Sequence, residues 1–115
     1  MSERVDKSNH PTVVEYAVRD LFKGKSPAAA ARFTAKKLSG SENLFLGSGV
    51  VDIDPKVLED NLWERMAASA VSAIPHLKPG MEHYAIDGTL QQFKQKATAR
   101  KELERRVILR LKDAK

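Results

Sequence analysis

Cysteine is absent from the sequence, which excludes a disulfide framework, a thiolate nucleophile and a cysteine-based zinc site. There is also no uninterrupted run of about 18 apolar residues, the length a membrane-spanning helix requires. Residues 1–10 are polar and charged and contain nothing like the apolar core of a secretory signal. A cytoplasmic protein without a membrane partner is the expectation these absences leave.

What is present suits one domain. Of 115 residues, 42% are hydrophobic and 30% charged, enough apolar surface for a core that needs no staples and enough charge for an exposed helical exterior. The net charge of +5 is unevenly distributed along the chain. Residues 94–115 hold nine basic groups against three acidic ones, while the other 93 residues hold 11 basic and 12 acidic. The positive excess therefore gathers at the carboxyl end.

Residues 1–10 read as a flexible tail. Thr12 and Glu15 have the T-x-x-E spacing of a capping box, in which each side chain satisfies a free N–H of the other. Val13, Val14, Ala17, Val18, Leu21 and Phe22 then recur at helical spacing up to Gly24, a natural stop. Ser26-Pro27 starts a second helix that runs to about Leu38, with Ala28, Ala31, Ala35 and Leu38 as its inward stripe. Phe33 either wraps into the core or stands beside the charges. Between Leu44 and Ile53 the period shortens, and Gly47-Ser48-Gly49 separates two apolar runs. A β-hairpin over 44–53 is the sharper expectation, and a loop covering the helical core is the alternative.

Asp54-Pro55 opens a third helix, whose stripe of Leu58, Leu62, Trp63, Met66, Ala70, Val71 and Ile74 makes it the central one, with Trp63 its largest buried group. After a proline- and glycine-bearing connection, a last helix starts near Asp87 or Thr89 and reaches toward Lys112. Val107 to Leu111 have enough β propensity to form a strand instead. The expectation is a mostly α, four-helix single domain: a tail over 1–10, a core over 11–93, and a basic helix over 94–115 that projects a cationic face.

That basic segment is the strongest functional signal. Arg100, Lys101, Arg105, Arg106 and Arg110 are spaced to reach phosphates along about 15 Å of helix. Arg32, Lys36 and Lys37 on the second helix form a further patch. The pair of helices around Gly24 has the outline of a helix-turn-helix with 44–53 as a wing, although the usual small and apolar residues do not fall at the required spacing.

His76 and His83, near Glu82 and Asp87, match no metal-site or general-base spacing, and no metal or cofactor is expected. Gly47-Ser48-Gly49 lacks the ending of a phosphate loop, and Ser48 lacks a nucleophile-elbow context. Asp52 and Asp54 are near-paired carboxylates, yet Asp54 is already accounted for as a helix cap. No catalytic set emerges. The expected function is a non-enzymatic, nucleic-acid-binding or nucleoprotein-associated accessory protein, whose DNA or RNA phosphates meet the last helix. The alternative is a small protein-binding module, an inhibitor or assembly subunit, that docks an acidic partner through the same helix with Leu103, Val107 and Leu111. A homo-oligomer is compatible with either.

Overall fold

A computed structural model describes residues 3–47 and 49–113. Five α-helices are seen among these residues: α1 (Pro11–Phe22), α2 (Pro27–Leu38), α3 (Pro55–Ala73), α4 (Glu82–Gln92) and α5 (Arg100–Asp113). Two short strands, β1 (Arg4–Asp6) and β2 (Val50–Asp52), pair in parallel, with Val5 opposite Val51. The fold is mostly α, as expected, with one more helix than expected.

Three helices begin with one device, a capping side chain followed by proline. His10 Nδ1 accepts a hydrogen bond from Thr12 N, Ser26 Oγ from Ala29 N, and Asp54 Oδ1 from Lys56 N. Proline suits the first helical position because its φ is already helical and it has no N–H to satisfy. The expected capping box of Thr12 and Glu15 does not form for this reason. Pro11 starts α1 two residues early, with His10 as the cap, so Thr12 lies inside the helix and Glu15 pairs with Arg65 of α3 instead.

α3 is the central helix. It buries Leu58, Leu62, Met66, Ala67 and Ala70 and packs against all four other helices. Trp63 is only half-buried at the edge of this core, and Phe93 is the largest fully buried side chain. On α2 the buried set is Pro27, Ala30, Ala31, Thr34 and Ala35, a stripe of mainly small residues that allows close approach to α3.

Several expectations fail for tertiary reasons. Residues 44–53 do not form a hairpin: Leu44–Leu46 is a single 3-10 turn, and β2 pairs with β1. On its other edge β2 bonds to residues 40 and 41, through Gly40 N to Val51 O and Val51 N to Ser41 O. No wing therefore stands beside α1 and α2, and Ser48 lies outside the described residues. The front of the chain is not a free tail over residues 3–10. Ser8 is fully buried; its hydroxyl donates to Asp6 Oδ1 at 2.5 Å and accepts from Asp54 N at 2.7 Å. The Ser8 hydroxyl, and after it the Ser8 backbone N–H, donate to Asp6 and hold its carboxyl below the ordinary pKa. The expected long last helix is two helices, interrupted at Lys94, whose φ of 53° is left-handed. Residues 107–111 are helical and not a strand, and Leu103 and Val107 are buried where α5 packs against α3.

Candidate nucleic-acid interface

The arginines of α5 are drawn into the molecule's own acids. Arg106 lies 2.6 Å from Glu102, 2.7 Å from Asp60 and 2.9 Å from Glu64, with its side chain 13% exposed. Burial opposes the charge on Arg106, but hydrogen bonds to Glu102, Asp60 and Glu64 outweigh it and raise the pKa above the usual arginine value. Arg110 reaches Glu64 at 3.1 Å, and Arg105 reaches Glu102 at 2.5 Å. Arg100 pairs with Asp87 and, at 2.8 Å, with Glu104. Hydrogen bonding to Asp87 raises the pKa of Arg100, and hydrogen bonding to Glu102 raises that of Arg105. Glu102 is correspondingly lowered, first by Arg105 and, against its partial burial, also by Arg106. Lys101 alone of the five expected α5 contacts has no ion-pair partner among the described residues. The apolar contact expected of α5 also changes. Leu103 and Val107 are buried and Leu111 is half-buried, while Ile108 and Leu109 are the exposed apolar groups.

The second expected patch has the opposite character. Arg32, Lys36 and Lys37 are all exposed on the outer face of α2, and none meets a carboxylate among the described residues. Helical spacing determines this, because the inner face is filled by Ala30, Ala31, Thr34 and Ala35. Arg19, Lys23 and Lys25, which the sequence reading did not single out, join the same region. Residues 16–41 hold six basic groups and one acidic group, Asp20, an excess that the contrast between the last 22 residues and the rest had averaged away.

The turn between α1 and α2 positions two of these cations. Gly24, at φ +96°, donates to Leu21 O, and Lys25 N donates to Asp20 O, closing α1 with a left-handed cap. A Cβ at Gly24 would stand 3.3 Å from Lys94 O, so the turn also abuts the break between α4 and α5. Gln95 joins the two segments, its side-chain amide donating to Lys25 O at 2.8 Å and to Phe93 O at 2.9 Å. The cap brings Lys23 and Lys25 over the Asp20 carboxylate, at 3.9 and 3.8 Å, with that carboxylate only 9% exposed behind them.

Aromatic groups lie among these cations. Phe33 is 46% exposed, and Lys25 Nζ is 3.8 Å from its ring centroid. Lys37 Nζ lies 5.5 Å from the Tyr16 ring and 5.8 Å from the Phe33 ring. Together they line an open hollow of about 400 Å³. A second cleft, of about 290 Å³, opens beside the same turn between Ser26, Trp63, Gln95 and Lys96.

The histidines do not assemble into a site. His76 is exposed in a 3-10 turn, the His83 ring lies tilted against Tyr84 at the start of α4, and Asp87 is committed to Arg100. Among the described residues no three His, Asp or Glu side chains gather as metal ligands, and no helix is long and apolar enough to cross a membrane. No protein-family model matches the chain, and neither does any curated protein or solved structure.

Proposed function

We propose that this chain is a non-enzymatic nucleic-acid-binding accessory protein, acting in the cytoplasm, whose phosphate-contacting face is the outer surface of α1 and α2. The observation that carries this reading is that Arg19, Arg32 and Lys36 have no ion-pair partner among the described residues, beside Lys37, whose ammonium lies over the Tyr16 and Phe33 rings. Cations without internal counter-ions are the groups that gain by releasing the counter-ions condensed on a phosphate chain. The α5 guanidiniums, held by Asp60, Glu64, Asp87, Glu102 and Glu104, would have to give up existing pairs to do the same. They contribute stability rather than contact.

The test is an anisotropy titration with random single-stranded and duplex nucleic acid at two salt concentrations. Binding is expected to weaken with salt, with a logarithmic slope of roughly −2 to −3 for about four phosphate contacts on a single strand. Reversing Lys36 and Lys37 to Glu lowers affinity by more than about tenfold, whereas Arg105→Glu changes it by less than about threefold. Absence of binding at low salt refutes the proposal. A second reading, docking of an acidic protein partner, is favoured by Ile108 and Leu109, which stand exposed on α5 near Lys101 and Lys112.

A further inference from the structure

We infer that the nucleic acid this face takes is single-stranded, with a base stacked on Phe33 and the adjoining phosphates held by Lys37 and its neighbours Arg32 and Lys36, which have no ion-pair partner among the described residues. This inference rests on the function proposed above and narrows it to one class of ligand. Leaving a phenylalanine nearly half exposed costs apolar hydration, and on α2 every other outward position near it is polar or charged: Arg32, Lys36 and Lys37. The ring is placed among cations and not within an apolar patch.

The mix of ring and cation matches the chemistry of the ligand. In a single strand a flat, apolar base and an anionic phosphate follow one another along the chain, and each base exposes its faces. Here Lys25 Nζ lies over the Phe33 ring at 3.8 Å and Lys37 Nζ over the Tyr16 ring at 5.5 Å, so a stacked base takes the place of the Lys25 ammonium on Phe33 while that ammonium keeps its pair with Asp20. Aromatic platforms within a basic groove are how sequence-tolerant single-strand binders gain affinity, since every base has a π-face. A duplex offers the lysines its phosphates but keeps its base faces stacked on each other, so Phe33 adds nothing to duplex binding. Asp20, the one carboxylate of the region, sits behind Lys23 and Lys25 and does not confront the phosphates.

The experiment uses the full chain with labelled oligonucleotides of about 12 nucleotides, within the span of single-domain site sizes. A single strand and the duplex of the same sequence are titrated in DNA and RNA forms against the natural chain, Phe33→Leu and Phe33→Trp. Single strands are expected to bind more tightly than the duplex. Phe33→Leu keeps apolar bulk but removes the π-face, and should weaken single-strand binding roughly 5- to 100-fold while leaving duplex binding unchanged. Phe33→Trp should retain or tighten it, which answers any loss caused by misfolding. Equal binding of strand and duplex, or no effect of Phe33→Leu, overturns the single-strand inference and leaves the phosphate-binding reading standing. If neither form binds at low salt, both fall together.

Discussion

Arg106 on α5 meets three carboxylates within 3 Å, while Arg32 and Lys36 on α2 meet none among the described residues. By sequence the two regions look alike: residues 94–115 carry a positive excess of six, and residues 16–41 an excess of five. Folding separates them. The acids that answer α5 come from α3, α4 and α5 itself, whereas residues 16–41 hold only Asp20. Residue type contributes to the division. A guanidinium presents five donors in a plane and can serve several carboxylates together, while an ammonium is a compact, strongly hydrated charge suited to open water. α5 uses four arginines where the α1–α2 region relies mainly on lysine. Charge counted along a chain is therefore a poor guide to charge on a surface.

The sharpest way to break this comparison is Arg106→Met. It leaves Asp60, Glu64 and Glu102 crowded without their shared cation, and should destabilise the fold by about 2 kcal/mol, less than the ~3–5 kcal/mol of a fully buried pair because those acids are partly solvated. In a thermal melt that is a drop of roughly 8–10 °C. Affinity for nucleic acid at 20 °C, measured on the folded variant, should stay within about twofold. An unchanged melting temperature with lost binding would reverse the roles assigned to the two regions.

Thr34→Val sharpens the comparison from the other side. The Thr34 hydroxyl is buried on the inner face of α2 with no hydrogen-bond partner among the described residues. Replacing it with an isosteric methyl should stabilise the protein by about 1 kcal/mol, seen as a higher denaturant midpoint. The outer face should bind as before, because the substitution touches none of its cations. A lower midpoint would mean that the hydroxyl has a partner in solution.

The smallest expected effect is with pH. Glu102 has its carboxyl lowered in the fold by Arg105 and Arg106, with Asp60 and Glu64 sharing the second guanidinium. A lowered folded pKa adds stability that is complete above the ordinary glutamate value of 4.5 and is lost as pH falls through the lower folded value. Melts of the natural chain and Glu102→Gln across this range should converge as the solution is acidified. A gap independent of pH would show that the pairing does not contribute to stability.

Local features were legible in the sequence. Ser26-Pro27, Asp54-Pro55 and Gly24 mark element ends through chemistry confined to a few neighbours, and the periodicity of α2 put Arg32, Lys36 and Lys37 outside. The place of Phe33 between core and surface is not legible in the sequence, because one helix pattern cannot say how wide its buried face is. Features made by distant partners were not legible. Three-residue strands from opposite sides of α1 and α2 leave no periodic trace, and Lys94 adopts a left-handed φ without the glycine that usually marks one. The pairing of α5 with Asp60 and Glu64 depends on how α3 and α5 cross, which no local pattern encodes. For the candidate site, half the cations were found; a sliding charge count over residues 16–41 would have found Arg19, Lys23 and Lys25.

The β1–β2 pair also orders events in time. During synthesis Val5 emerges long before Val51, its register partner, so the front of the chain must wait while α1 and α2 are made. Once Val51 arrives, Ser8 seals the start of α3 through Asp54 N, and Asn61 reaches back to Ser8 O. Anything fused ahead of Arg4 would have to leave that latch free to close.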